Sequence, residues 1–71
     1  MRRSAAEVIS RELLDCSGKL DQSVAVLAGV LSPEDYQRYR GLVGQIMGSL
    51  YLDILREIFE QYPDLEPDSM K

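Results

Sequence analysis

Apolar residues recur along this chain at alternating intervals of three and four through two long stretches. Each stretch opens with a serine placed three residues before a carboxylate, in Ser4-Ala5-Ala6-Glu7 and in Ser32-Pro33-Glu34-Asp35. In such a start the serine oxygen accepts from a free backbone N–H of the first turn, and the acid can reach back to the serine's own amide. Pro33 adds a residue that lacks an N–H where none is needed. The pattern predicts an all-α fold, an antiparallel helical hairpin. Helix 1 is expected over about 5–28, a turn over 29–32, helix 2 over about 33–61 and an acidic tail over 62–71.

In the first stretch, Ala6, Ile9, Leu13, Cys16, Leu20, Ser23, Leu27 and Val30 form a heptad-like seam, which Leu14, Val24 and Leu31 widen on one shoulder. Gly18 offers a break into shorter helices, but the seam keeps its phase across it. One continuous helix with a weak point costing about 1 kcal/mol is the expected form. Glu7–Arg11 and Asp15–Lys19 are spaced for ion pairs on the solvated side. Gly29 stands where a left-handed cap closes a helix. Leu31 and Tyr36 are spaced as a hydrophobic staple across the second start.

In the second stretch, Tyr39, Val43, Ile46, Leu50, Ile54 and Ile58 form one stripe, and Met47, Tyr51, Leu55, Phe59 and Tyr62 form another beside it. Pro63 disfavours helical geometry at Tyr62 and ends the segment. The two stripes are too wide for one neighbouring helix, and large apolar patches are unusual on a soluble monomer. Two hairpins are therefore expected to join as a dimeric four-helix bundle, with Leu13, Leu20, Leu27, Ile46, Leu50, Ile54 and Ile58 at the interface.

Composition points the same way. A chain of 71 residues with 45% hydrophobic content is near the lower size limit for an independent core. Its single cysteine cannot form an internal disulfide, so association is the remaining source of stability. Without histidine, the usual zinc sets are missing, and neither a metal nor a cofactor is expected. Arg2-Arg3 does not lead into an apolar h-region, and no apolar run approaches the roughly 20 residues of a membrane span. A soluble, reducing, cytoplasmic setting follows as the expectation. The formal charge of −4 argues against general nucleic-acid affinity.

Several groups are candidates for function. Gly41, Gly44 and Gly48 share one side of helix 2, for close approach of another helix, for a partner, or simply facing solvent. Tyr36-Gln37-Arg38-Tyr39-Arg40 mixes the residue types of binding hot spots and of stacking platforms. The plainer alternative turns both tyrosines inward. Asp53 and Arg56 form either a buried pair or part of an exposed strip with Glu57 and Glu60. Cys16 reads as a small core hydrophobe. Glu57, Glu60 and Asp64 read as a solvated acidic face. Tyr62 and Leu65 anchor either a short linear motif or nothing beyond the helix stop. There is no nucleophile–base pair and no other catalytic set.

These features predict a non-enzymatic protein–protein interaction module: a homodimeric bundle serving another protein as adaptor, regulator or accessory subunit. The alternative is a nucleic-acid-binding regulator using the Arg/Tyr patch with Arg2 and Arg3. In length and topology the expected hairpin resembles the small plasmid-copy-number regulators that dimerise into four-helix bundles and bind RNA. That role requires a basic face, and the acidic balance opposes it.

Overall fold

A computed structural model describes residues 1–70; Lys71, the end of the acidic tail, lies outside the described residues. The described residues are almost all helical and contain no strand. Helix α1 runs Arg3–Leu27 without a break at Gly18. Helix α2 runs Pro33–Leu50, a π-helical segment follows at Tyr51–Leu55, and helix α3 covers Arg56–Gln61. Two single 3₁₀ turns follow, Pro63–Leu65 and Asp68–Met70.

The connector forms as its residues dictate. Gly29 takes φ +83°, the left-handed conformation that glycine adopts without a Cβ penalty. The Val30 and Leu31 amides both donate back to the Leu27 carbonyl, at 3.0 and 3.3 Å. Ser32 Oγ then accepts from the Asp35 amide at 3.2 Å, with Pro33 opening the helix.

The start of α1 departs from expectation. The helix begins at Arg3, two residues before the predicted start, with Arg2 at the cap and no side-chain cap bond. Ser4 lies inside the first turn. Glu7, the carboxylate its motif requires, is instead bound by Arg3 at 3.1 Å. Arg3 also pairs with Asp64, and the Met1 carbonyl accepts from Tyr62 Oη at 2.6 Å. A tertiary contact thus supersedes the local capping pattern.

The seam of α1 lies on the shoulder beside the expected one. Ala6, Ser10, Leu13, Ser17, Leu20, Val24, Leu27 and Leu31 are buried or half-buried at alternating spacings of four and three. Ile9 and Ser23 flank this row, whereas Cys16 and Val30 are exposed. The reason is steric. The bulky Leu55, Ile58 and Phe59 need small neighbours, and they cluster with fully buried Ala6, one turn from buried Ser10.

Helix 2 departs in its middle. A strict three-four continuation from Tyr39, Val43, Ile46 and Leu50 lands on Asp53 and Glu57, putting acids against α1. The π segment inserts one extra residue: the Arg56 amide donates to the Tyr51 carbonyl, five residues back. The next inner residues become Leu55, Ile58 and Phe59, and Asp53 and Glu57 remain exposed. Burial of three large apolar side chains, about 1.5–3 kcal/mol each, outweighs the poorer geometry of one π turn.

Leu55, Ile58, Phe59 and Ala6 form the core, with Ile9, Leu13, Leu14, Tyr62 and Leu65 packed on it. Nearer the turn, Val43 is buried, and Tyr39 Oη meets Ser23 Oγ at 2.6 Å. The result is a rod of 44 × 20 × 17 Å. Its radius of gyration is 14.3 Å, against about 11 Å for a compact chain of this length.

Candidate interaction surface

Because α1 covers one face of α2, the remaining faces decide what the molecule can contact. Leu42 and Ile46 lie four apart on one flank of α2 and are 53% and 39% exposed. Leu50, one turn on, is half-buried. The wider π turn then brings Ile54, also 39% exposed, back onto the same flank. Leu42 belongs to neither predicted stripe. The signal that reveals it is the every-fourth-residue run Leu42, Ile46, Leu50, Ile54, which a heptad reading passes over.

The seven predicted interface residues divide. Leu13, Leu20 and Leu27 are half-buried on the inner seam of α1, and Ile58 is 2% exposed within the chain's own core. Those four contribute to the packing of a single chain. Ile46, Leu50 and Ile54 keep surface available to a partner.

Gly41, Gly44 and Gly48 face open space: a Cβ at any of them meets nothing within 4 Å. The close approach of α1, one of the explanations for this row, is therefore absent. Gly44 stands two positions from both Leu42 and Ile46, about 200° around the helix, so the row is on the opposite side from the apolar flank.

The Tyr36–Arg40 stretch separates by side-chain type. Arg38 and Arg40 are exposed, while Tyr36 and Tyr39 are half-buried. Ser23 donates its hydroxyl proton to the Leu20 carbonyl at 2.6 Å, which leaves Tyr39 Oη as the donor to Ser23 Oγ. Both tyrosines thus present only part of their ring surface beside the arginines.

Asp53 and Arg56 are both exposed, and Arg56 pairs with Glu60 at 3.3 Å, so no buried pair forms here. Asp15–Lys19 forms as spaced, at 3.3 Å, whereas Glu7 is taken by Arg3 instead of Arg11. Cys16 is exposed and is no core hydrophobe of this chain. Tyr62 and Leu65, candidate anchors of a linear motif, pack on the core. Asp64 faces Arg3, whose guanidinium also lies 5.5 Å from the Tyr62 ring centroid. Hydrogen bonding to Asp64 does most to raise the proton affinity of Arg3; desolvation opposes it, and the charge of Asp64 and the hydrogen bond and charge of Glu7 add smaller raising effects.

A shallow depression beside this cluster is lined by Glu7, Ser10, Arg11, Leu14, Asp15 and Leu65. Among the described residues no group of three His, Cys, Asp or Glu side chains is placed to hold a metal ion. No described helix is long and apolar enough to cross a membrane. No family model matches the chain, and no curated protein or solved structure matches it either.

Proposed function

We propose that this protein is a small non-enzymatic interaction module. It acts as a homodimer in which two antiparallel helical hairpins form a four-helix bundle, and it serves a further protein as adaptor, regulator or accessory subunit. One observation supports this most directly. Among the described residues, only five apolar side chains are buried, while Leu42, Ile46, Tyr51, Leu52 and Ile54 are exposed within thirteen residues of one another. A two-helix core that small is a marginal source of stability, and a second copy offers the missing apolar contact. Arg40, Gly41, Gly44 and Gly48 lie off the Leu42–Ile46 flank and, with Arg38 one turn before Leu42, are the candidate surface for the further protein.

Sedimentation equilibrium at micromolar concentration tests the reading, with a dimer as the expected result. A folded monomer throughout that range would falsify it. Nucleic-acid binding is the second reading, motivated by exposed Arg38 and Arg40. It predicts heparin affinity at low salt that falls steeply as salt is added. The half-burial of Tyr36 and Tyr39 weakens it by reducing the surface on which bases could stack.

A further inference from the structure

We infer that the dimer forms through a single row on α2 and the π segment, Leu42, Ile46, Leu50 and Ile54, packed against the same row of a second copy running the other way. The inference rests on the homodimer reading and specifies its contact. Residues four apart form the ridges by which helices most commonly interdigitate. A row with this even spacing complements itself under a two-fold axis. With the axis midway between Ile46 and Leu50, Leu42 meets the partner's Ile54 and Ile46 meets the partner's Leu50, so every apolar side chain finds an apolar one.

The π segment is essential to that match. Continued as an α-helix, the chain would carry Ile54 about 70° further round, off the flank of Leu42 and Ile46 and toward the face that α1 covers. With the wider turn, Ile54 keeps the same 39% exposure as Ile46.

Area supports a second copy as the occupant. The chain exposes 5205 Å², about 750 Å² more than a compact monomer of its 8.0 kDa mass. A stable interface removes about 800 Å² from each partner. A second copy on this flank would bury part of that surplus, and it would do so equally for both chains.

The test uses the full chain. Wild type is expected to sediment as a dimer, and Ile46→Glu to weaken that dimer by at least about 100-fold, because a carboxylate would be buried without a partner. Gly44→Leu, on the opposite side, should leave the dimer constant unchanged. A wild-type monomer overturns both this inference and the homodimer reading. A dimer that survives Ile46→Glu overturns only the row. Should Ile46→Glu unfold on dissociation, crosslinking supplies the answer. In a Cys16→Ser background, Leu42→Cys and Ile54→Cys stand about 18 Å apart within one chain, so a short bis-maleimide joins them only between copies. A covalent dimer on a denaturing gel is expected. Its absence in a chain that sediments as a dimer overturns the row.

Discussion

Ser23 and Tyr39 join α1 to α2 by a 2.6 Å hydrogen bond in which the tyrosine must donate, since the serine proton is committed to Leu20. Tyr39→Phe should therefore cost about 1 kcal/mol, and adding Ser23→Ala should cost little more. Thermal melts of the two single variants and the double variant measure that coupling. Ser32→Ala should cost about 1 kcal/mol by exposing the Asp35 amide. Ile58→Ala, at the most deeply buried large side chain, should cost about 2–5 kcal/mol in chemical denaturation. Ser4→Ala should be nearly silent, because Ser4 makes no cap. The two serines share a sequence pattern and differ in context. Ser32 follows a glycine turn that halts the preceding helix, whereas Arg3, just before Ser4, is drawn into α1 as it and Met1 bind the segment after α3.

At the scale of elements, the π segment is a one-residue insertion that brings two apolar patterns into phase. Removing the extra residue at an exposed position should restore a regular α-helix and keep Leu55, Ile58 and Phe59 facing Ala6. Deletion of Leu52, 60% exposed, is thus expected to leave helical content and melting temperature close to wild type. Insertion of one alanine after Ser49 turns the same three side chains about 100° away from α1 and should unfold the protein. Circular dichroism melts of the pair decide the matter, and equal damage from both changes would contradict this account of the π turn. The glycine row belongs to the same scale. Three helical glycines facing open space should gain roughly 1 kcal/mol each on replacement by alanine. A triple-alanine variant is expected to melt higher, with the proposed dimer unaffected. Loss of a bound protein in that variant would then identify why these positions are not alanine.

The whole molecule is a rod tied at the end away from its turn. Arg3, Glu7, Asp64, Tyr62 and Met1 hold the first turn of α1 against the segment that follows α3. Arg3→Ala should accelerate hydrogen exchange at the Leu65 and Glu66 amides, which donate to Tyr62 and Pro63, with little change in the turn at Gly29. Charge acts across the entire surface. Each copy carries −4, so the proposed dimer would bring like charges together, and screening should tighten it. Raising salt from low to physiological concentration is expected to strengthen self-association. Nucleic-acid binding would respond with the opposite sign.

Local chemistry determined a good deal from sequence alone. Helical spacing of apolar residues, the Gly29 turn, the Ser32-Pro33 start and the stop before Pro63 each depend on a few neighbouring residues, and all are realised in the structure. The all-α class was legible for the same reason. Only tertiary structure decided which shoulder of α1 packs, where helix 2 changes phase and how α1 begins. Those outcomes depend on volumes and charges brought together from distant positions: Ala6 beside Ile58 and Phe59, Arg3 beside Asp64. A period read along one helix carries no record of what the other helix presents. Leu42 and Ile54 stand on one exposed flank because core packing of Leu55 and Phe59 imposed a π turn between them, a consequence of the three-dimensional contact that spacing alone does not contain.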